Sequence, residues 1–599
     1  MTNEAQAVDV DTLWREHCRN AVRKFVMHAV VIDNQPVLER VEEIKFFAGE
    51  SATIVDEGMG DNLPELTAEV SEETGDGAKS STEEAESEDE AIAEERKRDK
   101  AGAGEGIILA HNLNVRELSD AFAEEEIACA FVFPEDKDTD EEKIFRRVML
   151  ASMPADIVVI DWYLRDTNPN LTKRILKTIA EKDHAEKGRL RLICVYTGQT
   201  NTDVVTRDAV AELTAGGLIS NKIDEKGGLA SGKHHCLLVL NKQDVHGAAL
   251  PTRILEAFTA LSDGILPSFA LAAVAAIRRN VHHIITRFSC DLDAAFVTNR
   301  LITDPPSDVS ELIRELFVSE CDAALGLDKV ADNYLERDSI ALWLDVKGQP
   351  KGQFAYNSYS IDRAFINGLL QDGIKEGKIK VGDVEKKFPE DKRVLLSHAL
   401  HGTEFEAKTG ECKFSRHIAL KREAFGMSKL HSDEGWVPSL TLGTILRRTE
   451  TEDGKTTKRY FYCLTPACDT LRLNDEERMF LMIEIDVSQG KTNLIIAEEG
   501  GIHTALHIVP HPRKVRTFKF RGDGKTGRVL ARSPVEGEAD MPIYYFDSTP
   551  EQFVWLGEVR RNRANRDMAD LNREWLRFGI HDSELLRIAG KTKVKILGN

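Results

Sequence analysis

The stretch "DIVVIDWYLRD", Asp156 to Asp166, sets four apolar residues, Ile157 to Ile160, directly before a carboxylate, Asp161. A short run of β-branched residues reads as a buried strand. An acid at the tip of such a strand is costly unless it is solvated, paired or held on a metal. Asp161 therefore sits either at a strand exit that water reaches or in a site.

The segments around it repeat one pattern. "MHAVVID", Met27 to Asp33, is a shorter apolar run that also ends on an acid. "NVRELSDAFAEE" has helical spacing, "ACAFVFP" is a strand, and "TDEEKIFRRVMLAS" is a helix with Thr139 as its expected cap. After "DIVVID" come the helix "LTKRILKTIAEKDHAEK", the strand "RLICVYTG", the helix "TNTDVVTRDAVAEL" and the strand "HCLLVLNK". Strands that are apolar throughout and alternate with helices form a parallel sheet covered on both faces. Five such strands predict a doubly wound α/β domain. In these sheets ligands bind at the carboxyl ends of the strands. Asp33, Asp161, Thr197 and Lys242 all fall at or just past such an end, so they should converge.

Composition bounds the rest. A chain of 599 residues is too long for one core and predicts two to four domains. The net charge of −22 argues against a molecule that coats nucleic acid or an acidic membrane as a whole. Nine scattered cysteines without a CxxC fit a reducing compartment. The N-terminus lacks a signal-peptide core. "ILPSFALAAVAAI", Ile265 to Ile277, is too short to span a bilayer and reads as a buried helix with Pro267 in its first turn. The expectation is a cytoplasmic protein with no membrane partner.

From about 50 to 106 the chain is dominated by Glu, Asp, Ser, Gly and Ala, which predicts a disordered acidic insertion. Residues 1–248 are then one α/β domain around it. Residues 249–345 form a helical connector. Residues 346–599 are mixed and then β-rich: "WVPSLTLGTILRR", "RYFYCLTPACDTLRL", "MFLMIEIDV", "TNLIIA", "TALHIV", "VRTFKF", "GRVLAR" and "PIYYF" are short strands of a small barrel or sandwich, closed by two C-terminal helices.

Two acids, a hydroxyl and a lysine at strand ends suit phosphoryl transfer to an aspartate on a divalent cation. The arrangement resembles the receiver domain of two-component response regulators, through "VVIDN", "VVIDWYL", "CVYTG" and "LVLNK". The resemblance implies a flavodoxin-like fold, Asp161 as phosphoacceptor, Thr197 as switch hydroxyl and Lys242 as the lysine that bonds the phosphoryl group. It implies Mg²⁺ held by Asp33, Asn34, Asp161 and the main-chain carbonyl of Tyr163, and a sensor histidine kinase as partner. The sequence departs from that pattern in three ways. Asn34 stands where the family has a second acid, which should weaken Mg²⁺ binding. The acidic insertion separates the first strand from its helix. Gly-rich "GGLISNKIDEKGGLASGKHH" lengthens the path to the last strand, and Gln243 follows Lys242 where a proline is expected.

"W.PSLTLGTILRR…CLTPACDTLRL…LNREWLRFG" in the C-terminal half resembles divergent receiver proteins of bacterial antiviral phosphorelays of the Detocs type, where a separate effector protein can be the output. The rival reading is an inert receiver-like scaffold, or a nucleic-acid-binding protein acting through His511 to Arg532, which holds eight basic residues, one acid, and Phe518 and Phe520. That segment could equally be a solvated β face or pair with the acidic insertion. No constellation supports an enzyme in the β-rich half. Cys463 and Cys468, with Cys412 upstream, read as ordinary strand cysteines rather than a zinc site. His282 and His283 read as solvated histidines, and "RGDGKTG" as a hairpin turn.

Overall fold

The computed structural model describes residues 9–37, 113–134, 140–165, 168–186, 188–303, 307–348, 355–356, 359–381, 384–425, 437–452, 455–488, 490–532 and 543–576. The acidic insertion and the second C-terminal helix, expected in "HDSELLRIAG", lie outside these residues. The chain divides into two compact units, residues 1–286 with 320–346, and residues 287–319 with 347–599.

The first unit is built on β1 (His28–Ile32), β2 (Ala128–Val132), β3 (Ile157–Ile160), β4 (Arg191–Thr197), β5 (Ser220–Asp224), β6 (Leu229–Gly232) and β7 (His235–Asn241). Their order is β2-β1-β3-β4-β7-β6-β5. The five expected strands are present and parallel, in the flavodoxin-like order. The sheet nevertheless has seven strands. The Gly-rich stretch before the last parallel strand folds into a hairpin, β5–β6, that adds antiparallel to β7.

Alternation along the strands sends side chains into two cores. Val30, Ile32, Val158, Ile160, Ile193 and Val195 pack against helices α3 (Glu141–Ser152), α4 (Asn170–Ala185) and α5 (Thr202–Ala215). Ala29, Val31, Ile157, Val159, Leu192 and Cys194 face α1 (Val10–Phe25), α2 (Val115–Glu124), α6 (Leu250–Leu261) and α7 (Ile265–Arg279). Both faces are covered, which is why the strands read as unbroken apolar runs.

Helix α1 was not foreseen. Trp14, Cys18, Ala21, Val22 and Phe25 make a narrow apolar stripe in a polar segment, and all are buried. The helix is clasped by Glu125, which accepts from Arg19 and Arg23 at 2.7 Å and from Thr252 at 3.1 Å. Asp140 caps α3, its carboxylate accepting the Lys143 N–H at 3.1 Å; the expected cap, Thr139, lies outside the described residues. Helix α7 begins at Ile265 with Pro267 in its first turn, where a missing N–H costs nothing.

The second unit centres on an antiparallel sheet of nine strands: β8 (Leu420–Glu423), β9 (Thr444–Glu452), β10 (Lys455–Cys463), β11 (Glu477–Val487), β12 (Leu494–Ala497), β13 (His503–His507), β14 (Val515–Arg521), β15 (Tyr545–Ser548) and β16 (Glu551–Val559). β14 pairs with β11 and β15 with β16, and β14 lies beside β15, so the path nearly closes into a barrel. Ile445, Tyr460, Tyr462 and Ile483 pack on one face, and Leu446, Phe461, Phe480 and Phe553 on the other. "GRVLAR" forms isolated bridges rather than a strand. A helix over Arg561–Leu576 follows β16.

Candidate functional site

Three residues stand one step past three parallel strands, and each keeps its amide in the ladder. The Asp33 N–H donates to Val132 O at 3.3 Å, that of Asp161 to Ile32 O at 2.9 Å, and that of Lys242 to Thr197 O at 2.9 Å. The backbone is thus held by the neighbouring strand while the side chain leaves the apolar core. Thr172, fully buried on α4, also donates its hydroxyl to the Asp161 carbonyl at 2.9 Å.

The three side chains meet. Lys242 Nζ donates to Asp33 Oδ2 at 2.6 Å and to Asp161 Oδ2 at 3.0 Å. All three residues are buried. Burial is the largest influence on Asp33 and pushes its carboxyl above the usual range; Lys242 pulls it back and Asp161 pushes it further up. Burial also opposes the Lys242 charge, but the Asp161 and Asp33 carboxylates outweigh it and hold the ammonium above its ordinary range. The lysine therefore stays charged and neutralises two acids that would otherwise repel.

Asp33 Oδ1 accepts the Gln35 N–H at 2.8 Å. Next to it, Asn34 Oδ1 is buried and has no hydrogen-bond partner among the described residues. A buried acceptor without a donor is costly and calls for an explanation. A hard cation supplies one. Asp33, Asp161 and Asn34 offer the oxygen donors that Mg²⁺ takes, so the residues present fit the ion. Among the described residues no group of three His, Cys, Asp or Glu side chains could hold a metal. Here the third donor is an amide.

Thr197 is fully buried at the end of β4. Its hydroxyl oxygen accepts the Gln199 N–H at 3.3 Å, and among the described residues it bonds neither aspartate. Tyr163 is half-buried two residues past Asp161, against the core beneath α3 and α4.

Asn241 was missed by sequence reasoning. Buried at the end of β7, it donates its amide to Gln199 O at 2.7 Å and accepts the Gln243 N–H at 2.7 Å. It ties the loop after Thr197 to the residues flanking Lys242. The departure at Gln243 gains a physical reason, since a proline has no N–H to give Asn241. A polar residue beside Lys242 at a strand end was the available signal.

The other sequence candidates stay apart from this site. Cys463 is buried, and burial pushes its thiol up to about 12. Cys468 is exposed, and all nine cysteines are free thiols. His282 and His283 are exposed neighbours on one helix. In the basic segment, Lys514 pairs with Asp486, Arg516 with Glu484, Arg521 with Asp475 and Arg532 with Asp547. Phe520 is buried, and Phe518 packs on Phe461 and Phe553 with ring centroids 5.1 and 4.9 Å apart. Neither ring offers a platform for stacking bases. Among the described residues no helix is long and apolar enough to cross a membrane.

The family model described as "Response receiver domain" matches residues 48–248. The matched span contains Asp161, Thr197 and Lys242 and begins after Asp33. No curated protein and no solved structure matches the chain. The match and the strand order together support a receiver domain in the N-terminal part of the chain, and with it a phosphoacceptor role in general.

Proposed function

We propose that the chain is a response regulator whose Asp161 accepts a phosphoryl group from a partner histidine kinase. The observation that carries the reading is the Lys242 ammonium bonded to both Asp33 and Asp161 at the carboxyl ends of the parallel strands. An Asp161 carboxylate oxygen attacks phosphorus, the bond from phosphorus to the donor breaks, and the donor leaves with that electron pair and takes a proton from water. Phosphoryl transfer of this kind needs positioning and charge neutralisation more than covalent help. Lys242, already at Asp161 Oδ2, neutralises the charge that arrives. Mg²⁺ held by Asp33, Asn34 and Asp161, with the Tyr163 carbonyl, would neutralise the remaining phosphoryl oxygens. Thr197 is the hydroxyl that turns from the Gln199 amide to the new phosphoryl group.

The nine free thiols support a reducing, cytoplasmic setting. The antiviral setting and a separate effector rest on the C-terminal motifs alone. One observation favours the rival reading of an inert receiver-like scaffold: Asn34 removes an anionic donor from the metal site. The discriminating experiment is incubation with Mg²⁺ and a small acyl phosphate donor, followed by intact mass. The expected result is a gain of one phosphoryl group, absent in Asp161→Asn. No gain from that donor or from a cognate kinase would leave the scaffold reading.

A further inference from the structure

The hairpin β5–β6 changes which strand ends the sheet. β6 pairs with β7 through Ala230↔Leu237 and Leu229↔Leu238, and β5 lies outside β6. An outermost strand carries backbone N–H and C=O groups that no neighbouring strand satisfies, a template for pairing with another chain. β5 is exposed from Asn221 to Asp224, with Ile223 52% and the adjoining Ile219 71% exposed. Lys222 and Asp224 flank Ile223. Being two residues apart, they share one face of the strand.

We propose that β5 pairs antiparallel with β5 of a second copy of this chain, about a two-fold axis normal to the sheet at Ile223. Such an axis sets Ile223 against Ile223 and Lys222 against Asp224, twice over. Centring on Lys222 would oppose two lysines, and centring on Asp224 two aspartates; like charges directly opposite are destabilising. The strand is therefore self-complementary in charge in one register. Asp224 Oδ1 accepts the Gly227 N–H at 3.0 Å, which steadies the carboxylate and leaves its second oxygen for a lysine. The contact is isologous and closed, so it yields a dimer rather than a fibre. A β-bulge between Ser220 and Lys222 confines regular pairing to the residues around Ile223 and keeps the association weak. The opposite edge, β2, reads "ACAFV" and has no charge to set a register. The dimer needs no phosphoryl group on Asp161.

The test uses the full chain with Ile223→Cys, and with exposed Cys290 and Cys468 replaced by serine. Only a pair centred on position 223 brings that residue against itself. Mild oxidation should give an interchain disulfide between the two copies of residue 223, identified by peptide mass spectrometry, with a yield that rises with protein concentration. Lys222→Glu should lower the yield about fivefold or more, and adding Asp224→Lys should restore it. Sedimentation of the unmodified chain should show a concentration-dependent shift that Lys222→Glu removes. Absence of the disulfide at any concentration overturns the proposal. So does a yield indifferent to Lys222→Glu, or an edge that pairs only with a peptide of another protein.

Discussion

Lys242 Nζ lies 2.6 Å from Asp33 Oδ2, although 209 residues separate them in the chain. Asp161 Oδ2 shares the same ammonium at 3.0 Å. The lysine is the only partner that the structure gives Asp161's carboxylate among the described residues, so its removal should be felt first as instability. Lys242→Ala would leave two buried carboxylates facing each other, a loss of about 3–5 kcal/mol. Urea denaturation without metal should show a midpoint well below that of the unchanged protein. Added Mg²⁺ should recover more stability in the variant than in the parent, because the ion takes over the neutralisation. An unchanged midpoint would mean that the triad contributes nothing to the fold.

Asn34→Asp restores a second acid to the pair. Hard cations gain from an anionic oxygen in place of a neutral one. Titration of Mg²⁺ should show tighter binding, while the metal-free variant loses stability because a third carboxylate enters a buried acidic site. Equal affinity would place Asn34 outside the metal shell.

Gln243→Pro tests whether this chain has rebuilt the turn after Lys242. The N–H that serves Asn241 Oδ1 disappears, and a buried acceptor is left bare. The expected cost is about 1–3 kcal/mol, read as a lower urea midpoint. A neutral or stabilising outcome would show that Asn241 is not anchored by that bond.

Glu498 in the second unit offers a pH test. It accepts from Tyr460 at 2.6 Å, Arg447 at 2.7 Å, Lys458 at 2.7 Å and Thr504 at 2.5 Å. Burial works against its charge, yet these four donors hold its carboxyl down to about 2. A carboxyl lowered on folding contributes stability that is complete above its ordinary value near 4.5 and is lost as pH falls towards 2. Acid unfolding followed by circular dichroism should therefore steepen across that window. Glu498→Gln should be less stable at neutral pH and show a flatter loss there. Parallel acid profiles would contradict the assignment.

The receiver-like sheet was legible because strands covered on both faces leave nothing polar in the run, and because four of the five runs ended on Asp33, Asp161, Thr197 or Lys242. The β5–β6 hairpin was not, since "GGLISNKIDEKGG" shows no alternation and takes its order from pairing with β7. Helix α1 escaped because its apolar stripe is only five residues in a polar background. Asn241 escaped because one amide among strand residues has no pattern of its own; its role comes from Gln199 in the loop after Thr197, 42 residues away in sequence and adjacent only across the sheet. In the second unit four strands run to nine or eleven residues, longer than the short strands expected, while charges of the basic segment found acidic partners on β11 and in the turn before it, a fact that linear composition does not carry.

The proposed function rests on a phosphoryl group carried by Asp161. Its most direct measurement is residue-level mapping: phosphorylation with a small acyl phosphate in the presence of Mg²⁺, borohydride reduction of the resulting acyl phosphate, and peptide mass spectrometry. The expected result is conversion of Asp161 alone to homoserine, lost when Mg²⁺ is chelated and lost in Asp161→Asn. Reduction at another aspartate, or a label that persists in Asp161→Asn, would contradict it.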